Sequence, residues 1–179
     1  MTSYTIRKAV ETDLPSLAAM LRISWKDTYT GLLPDDEIDR TIARIYSVDA
    51  LRNAIQDSDW TGYYIAVKDG VVLGAGGGAF KSPDSSELYV IYVHPEMRYR
   101  GIGRRLLDAI TAELIMQGAK DQWVSVTQDN AKGVPFYEAR GFELKGTRGA
   151  WRKDKHTGED VYDENRQTLR FWRQLVEGE

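Results

Sequence analysis

Glu87-Leu88-Tyr89-Val90-Ile91-Tyr92-Val93, then His94-Pro95-Glu96-Met97, then Arg98-Tyr99-Arg100-Gly101-Ile102-Gly103: this stretch decides how the chain is read. The first run is apolar on both faces, the pattern of a strand buried in the middle of a sheet. The last run is a basic loop punctuated by glycines. Behind it, Arg104 to Gln117 carries Leu106, Leu107, Ile110 and Leu114 at helical spacing and closes on Gly118. Strand, glycine loop and helix in that order put backbone N–H groups at a helix N-terminus, where the dipole favours an anion. Gly101 and Gly103 let the backbone turn tightly and approach a ligand, and a side chain at Gly103 is expected to obstruct it. Arg98, Arg100, Arg104 and Arg105 add positive charge at the same place, so a diphosphate is the natural ligand. The Walker pattern is absent, and the dinucleotide fingerprint fails because Leu106 stands where its third glycine would be.

On the N-terminal side, Tyr4 to Lys8 alternates like a strand. Thr12 or Asp13 is placed to cap a helix carrying Leu14, Leu17, Ala18, Leu21 and Trp25. A second helix is predicted from Pro34, with Asp35, Asp36 and Glu37 at its positive end and Ile38, Ile42 and Ile45 as its apolar stripe. Residues 49–57 suit a third. Tyr63 to Lys68 and Val71 to Phe80 form a hairpin on the turn Asp69-Gly70. Gly74, Gly76, Gly77 and Gly78 mark a bulge, close packing or a substrate approaching the backbone. Lys81 to Ser86 reads as a polar loop. On the C-terminal side, Trp123 to Thr127 is a strand and residues 131–140 a short helix stopped by Gly141. Phe142 begins another strand, Lys153 to Asn165 reads as a polar hairpin loop, and Thr168 to Leu175 as a last strand. The sum is an α/β (α+β) fold, a mixed sheet flanked by helices.

With 179 residues the chain suits one domain spanning 1–179. Its net charge of -3 offers no basic field for nucleic acid, and no run is long and apolar enough for a membrane span. Met1 to Arg7 does not read as a signal peptide, so a cytoplasmic location is expected. There are no cysteines and two histidines, His94 and His156, which argues against a metal site and excludes a thiol nucleophile.

Arg98 to Gly103 matches Q/R-x-x-G-x-G/A in full, and Asn130-Ala131-Lys132-Gly133-Val134-Pro135-Phe136-Tyr137 with Gly141-Phe142 is similar to N-x-x-A-x-x-F-Y…G-F. Through these two motifs in this order the chain resembles the GNAT superfamily of acyl-CoA-dependent N-acetyltransferases. Gly133 in place of alanine is the one departure and is expected to be tolerated. The resemblance implies a mixed, mostly antiparallel sheet of about seven strands, splayed beside the fourth strand. It implies acetyl-CoA as acyl-donor cosubstrate and an amine acceptor; a homodimer rests on the resemblance alone. Ile91, Tyr92 and Val93 would pair with the pantetheine arm. The N–H groups of Arg98, Tyr99, Arg100, Gly101, Ile102, Gly103 and Arg104 would hold the pyrophosphate. Asn130 and Tyr137 would lie near the thioester end. Trp25 and Tyr29, one helical turn apart, lie in the segment that commonly lines the acceptor site.

Acyl transfer to an amine needs a proton acceptor for the amine and a proton donor for the thiolate. Glu87 is the candidate base, or else a solvated strand-end carboxylate. Tyr137 is the candidate acid, or else a core aromatic beside Phe136. A non-catalytic acyl-CoA sensor and a nucleotide-binding module are the competing readings.

Overall fold

The computed structural model describes residues 3–58, 60–153 and 160–175, with side chains for all of these except residues 151–153, 160, 161 and 165. Strands β1 (Thr5–Lys8), β2 (Tyr64–Lys68), β3 (Val71–Ser82), β4 (Ser85–Val93), β5 (Asp121–Thr127), β6 (Glu143–Lys153) and β7 (Asp160–Gln174) form one sheet in the order β1-β2-β3-β4-β5-β7-β6. All neighbours are antiparallel except β4 and β5. The helices are α1 (Leu14–Tyr29), α2 (Asp35–Ile45), α3 (Val48–Gln56), α4 (Ile102–Met116) and α5 (Gly133–Glu138).

Helices α1 to α3 cover one face of the β2–β4 half. The stripe Leu14, Leu17, Ala18, Leu21 and Trp25 is buried there, with Ile38 and Ile42 of α2, against Ile65, Val67, Val72 and Ala75. Helix α4 covers the other face, where Leu107, Ile110 and Leu114 meet Val124, Val126, Phe142 and Phe171. Each fully buried leucine or phenylalanine in these two layers contributes about 1.5–3 kcal/mol, so both faces of the central strands hold the sheet in place. The Asp69-Gly70 hairpin forms as expected, both residues taking positive φ (50° and 77°). The glycines of β3 serve packing: a Cβ on Gly77 would lie 2.3 Å from the Trp60 ring, and one on Gly74 2.9 Å from Ile102.

Two expectations are corrected. Lys81 to Ser86 is mostly strand, because β3 and β4 pair down to Ser82↔Ser85 and leave only Pro83 and Asp84 to turn. Much of the expected loop at 153–165 is also strand: β6 and β7 pair from Lys153↔Asp160 inward, while residues 154–159 lie outside the described residues. Asp160 to Asp163 pair with β6 although the segment is largely polar in sequence, so polarity there does not mark a loop.

The feature that positions the site is a split in the sheet. Gly77 pairs with Val90 but Gly78 with Leu88, so Tyr89 is an extra, bulged residue in β4. The β4–β5 ladder runs only from Ser85↔Asp121 to Leu88↔Val124. Beyond that pair the two strands part, with Tyr89 and Ser125 at the fork.

Candidate active site

A cavity of about 470 Å³ lies along this split and continues to the loop before α4. The loop is built for anions. Gly101, the residue that caps α4, is left-handed at φ 81°, and Tyr99 also takes positive φ at 62°. The first N–H bonded back into the helix is that of Arg105, to the Gly101 carbonyl at 3.1 Å. The N–H groups from Tyr99 to Arg104 bond to no described backbone acceptor, so six successive donors are free at a helix N-terminus. A diphosphate, expected from sequence, would find donors here.

The structure brings most of the sequence-predicted residues together here. Ile91, Tyr92 and Val93 of β4 line the cavity on one side. Arg98, Tyr99, Gly101, Ile102, Gly103 and Arg104 line its loop end, and Asn130, Tyr137 and Tyr29 complete the wall. Asn130 Oδ1 accepts the N–H groups of Lys132 (3.2 Å) and Gly133 (3.0 Å), fixing the entry to α5. Gly133 is tightly placed: a Cβ there would lie 3.0 Å from both Asn130 Nδ2 and Val126 Cγ1. Glycine therefore leaves room for this packing, and alanine would require a small shift.

Some residues are placed otherwise than expected. Neither Arg100 nor Arg105 lines the cavity, and Arg105 lies over the Tyr4 ring at 4.8 Å. Arg98 is paired with Asp27 at the end of α1, and Lys132 reaches the same carboxylate at 2.8 Å. Hydrogen bonding by Lys132, opposed by burial and reinforced by Arg98, holds the Asp27 carboxyl below its usual range. Arg98 thus ties the loop to α1 and α5. Trp25 is turned into the core and stacks on Tyr29, ring centroids 4.2 Å apart, so only Tyr29 reaches the cavity.

Gly103 is also read differently. A Cβ at this position would meet the Phe136 ring at 3.1 Å and Val93 at 3.6 Å, so glycine is required first by the contact between α4 and α5. Gly103→Val is expected to push Phe136 into the cavity and weaken acetyl-CoA binding by about tenfold. Calorimetry checks this, and Gly103→Ala should give a smaller loss; equal affinity for all three proteins would separate this contact from the ligand site.

The surroundings of Glu87 do not favour the role of base expected for it. Its side chain is only 3% exposed, pairs with Arg170 and, at 2.8 Å, with Lys81, and accepts the Ser125 hydroxyl at 3.2 Å. Burial pushes its pKa up, but the hydrogen bonds from Arg170 and Lys81 outweigh this and hold the carboxyl below the usual carboxylate range. It does not line the cavity. A carboxylate held charged by two cations and shielded from the cavity is a poor acceptor for an amine proton.

Tyr137 is a core aromatic that also lines the cavity. Its ring is core, 8% exposed and edge-on to Phe136 and Phe142 at 5.0 and 5.4 Å. Its hydroxyl makes no hydrogen bond to a described residue, and the side chain lines the cavity. Burial, reinforced by nearby Tyr29, pushes its pKa up, so at neutral pH it holds a proton it can donate. The sequence had not pointed to Arg140 or to Ser125 and Tyr89 at the fork. Arg140 lines the cavity, and its buried Nε finds no partner among the described residues, an unmet donor of the kind a phosphate or carbonyl would satisfy.

A run of free N–H groups at a helix N-terminus, a slot opened between diverging strands and a tyrosine hydroxyl without a partner among the described residues together suit an elongated, diphosphate-bearing acyl donor. Comparison with known proteins agrees. Residues 17–142 match the Acetyltransferase (GNAT) family, and the chain belongs to it. It is 31% identical over 153 residues to the spermidine N(1)-acetyltransferase of Thermoplasma acidophilum, covering 83% of this chain and 93% of that one. Over 59 residues, 33% of this chain and 40% of the relative, it is 37% identical to the ribosomal protein bS18-alanine N-acetyltransferase of Salmonella typhimurium. The solved structure of the PaiA N-acetyltransferase from Thermoplasma acidophilum with coenzyme A superposes with a TM-score of 0.79. That match covers 97% of this chain and all of the other at 24% identity. The chain is an acetyl-CoA-dependent N-acetyltransferase, and acetyl-CoA is its cosubstrate.

Proposed function

We propose that the protein transfers the acetyl group of acetyl-CoA to a primary amine of a small molecule or peptide by direct attack, with no covalent enzyme intermediate. The observation that carries this reading is the Tyr137 hydroxyl, which lines the cavity without a partner among the described residues, downstream of the free N–H groups of residues 99–104. Those N–H groups would hold the diphosphate, and Ile91 to Val93 would guide the donor's arm along the unpaired edge of β4. The amine nitrogen bonds to the acetyl carbon as the carbon–sulfur bond breaks, and a backbone N–H near Ile91 to Val93 would steady the carbonyl oxygen. Tyr137 would give its proton to the departing sulfur and be reprotonated, through water, by the proton that the attacking nitrogen sheds as the amide forms. The absence of cysteine agrees with a single transfer step. Relatives named for spermidine and for a ribosomal protein's alanine both act on amines, which supports the acceptor class.

No carboxylate or imidazole lines the cavity among the described residues. The amine would therefore lose its proton to solvent before attack. A free alkylamine has a pKa around 10.4, so kcat/KM should rise about tenfold per pH unit between pH 7 and 9. Glu87→Gln should keep that slope. A wild-type plateau near neutral pH that this variant abolishes would restore Glu87 as the base.

Release of CoA from acetyl-CoA in the presence of an amine panel tests the proposal. Amine-dependent release with a matching acetylated product is expected. Tight acetyl-CoA binding with no release by any amine would instead establish a sensor.

A further inference from the structure

The face of the sheet opposite α4 is charged at the fork. Val124 and Val126 of β5 point into the α4 layer, so Ser125 between them points to the other face. There Arg148 of β6 donates to Ser125 Oγ at 3.1 Å, and Arg170 of β7 donates to the same oxygen and to Glu87. Lys81 completes the group through Glu87. Helix α1 packs on β3 and β4, so this part of the face lies beside the helical layer, and Tyr89 at the fork is 57% exposed.

Among the described residues the cluster holds three cations, Lys81, Arg148 and Arg170, and one carboxylate, Glu87. Glu87 is consumed by Arg170 and Lys81. The Ser125 oxygen is saturated, accepting from both arginines and donating to Glu87. Arg148 is left exposed with no ion pair to a described residue, at the edge of the cavity that Ser125 and Tyr89 line. One of its five donors is used, and the rest of the guanidinium fork is available for a bidentate anion. The nearby Arg166 does not share this property, because Glu37 neutralises it at 2.7 Å.

We infer that the acceptor carries, beside its amine, an anionic group, carboxylate or phosphate, which Arg148 binds at the fork of β4 and β5. This rests on the acetyltransferase reading and names the acceptor class. The loop before α4 takes the donor's diphosphate from one side of the split. An amine entering from the opposite face passes Arg148, and an excess of positive charge there disfavours a purely cationic acceptor. A polyamine such as that named for the Thermoplasma relative is therefore expected to be a poor substrate.

The test measures CoA release with acceptors matched in amine but differing in charge: 4-aminobutyrate against its amide, Ala-Glu-amide against Ala-Gln-amide, Ala-phosphoserine-amide against Ala-Ser-amide, with spermidine alongside. The wild type should prefer the anionic member of at least one pair by about tenfold or more in kcat/KM. Which pair responds distinguishes carboxylate from phosphate. Arg148→Ala should bring that ratio close to one and Arg148→Lys should restore part of it. The ratio is read because a general loss of activity cancels from it. Spermidine or the neutral members used as well as the anionic ones, or a ratio unchanged in Arg148→Ala, would overturn the inference and leave the acetyltransferase reading standing. No release with any acceptor would overturn both.

Discussion

Tyr137→Phe is expected to fold, to bind acetyl-CoA almost as the wild type does, and to turn over about 10²-fold more slowly. The substitution keeps the ring between Phe136 and Phe142 and removes only a hydroxyl that has no partner among the described residues. Little stability should therefore change, since no buried hydrogen bond is broken. What is lost is a proton for the leaving sulfur. A thiol with a pKa around 8.5 leaves less readily as a bare thiolate than with a proton delivered in the same step. The loss should shrink with an acyl donor whose thiol is more acidic, because a better leaving group needs less help. Steady-state kinetics with acetyl-CoA and one such donor make the comparison. Equal losses with both donors would mean that Tyr137 only positions the donor.

Glu87→Ala should cost about 3 kcal/mol of stability, because it strands a largely buried arginine. The Arg170 side chain is 11% exposed and its carboxylate partner 3% exposed, whereas Lys81, at 36%, can turn to water. The Trp123 ring beneath Arg170, 5.1 Å away, and the Ser125 hydroxyl keep part of its environment, which places the cost at the low end for a broken buried pair. For a chain of this size the melting temperature should fall by about 6–12 °C. The pH dependence has a definite sign. The folded-state pKa of Glu87 lies below its ordinary value, so its contribution is complete above the unfolded-state pKa of about 4.3 and is lost as pH falls through the folded one. The gap between wild type and variant should be full at neutral pH and close in acid below about pH 4. A gap that instead widened on acidification would contradict the ion-pair assignment.

The legible parts of the molecule were those whose chemistry is local in sequence. Residues 87–93 have no polar face, so they belong inside the sheet, and Gly101 sits where a helix must begin on a left-handed residue. The splay beside the fourth strand was expected from the resemblance, but Tyr89 as the bulged residue was not, because bulging depends on how β3 lines up with β4. Glu87 looked like a free strand-end acid because its principal partner, Arg170, is 83 residues away. The Asp27 clamp on Arg98 and Lys132 spans 71 and 105 residues. Nothing in the loop's own composition reveals that its first arginine is already spoken for. Trp25 and Tyr29 were grouped by helical spacing, yet four residues turn a helix about 400°, and the remaining 40° is enough to send one ring inward. Arg148 carries no signal in sequence at all; its meaning comes from β7 lying between β6 and β5, which brings it over Ser125.

In this reading one continuous site runs from the N–H groups of residues 99–104 along the split between β4 and β5 to Tyr137. A crystal structure of the protein with coenzyme A tests it most directly. The pyrophosphate should lie on the backbone N–H groups before α4, the arm should run beside Ile91 to Val93, and the sulfur should come within hydrogen-bonding reach of the Tyr137 hydroxyl. Coenzyme A bound with its diphosphate on exposed arginines such as Arg100, or with its sulfur remote from Tyr137 and outside the split, would contradict the account.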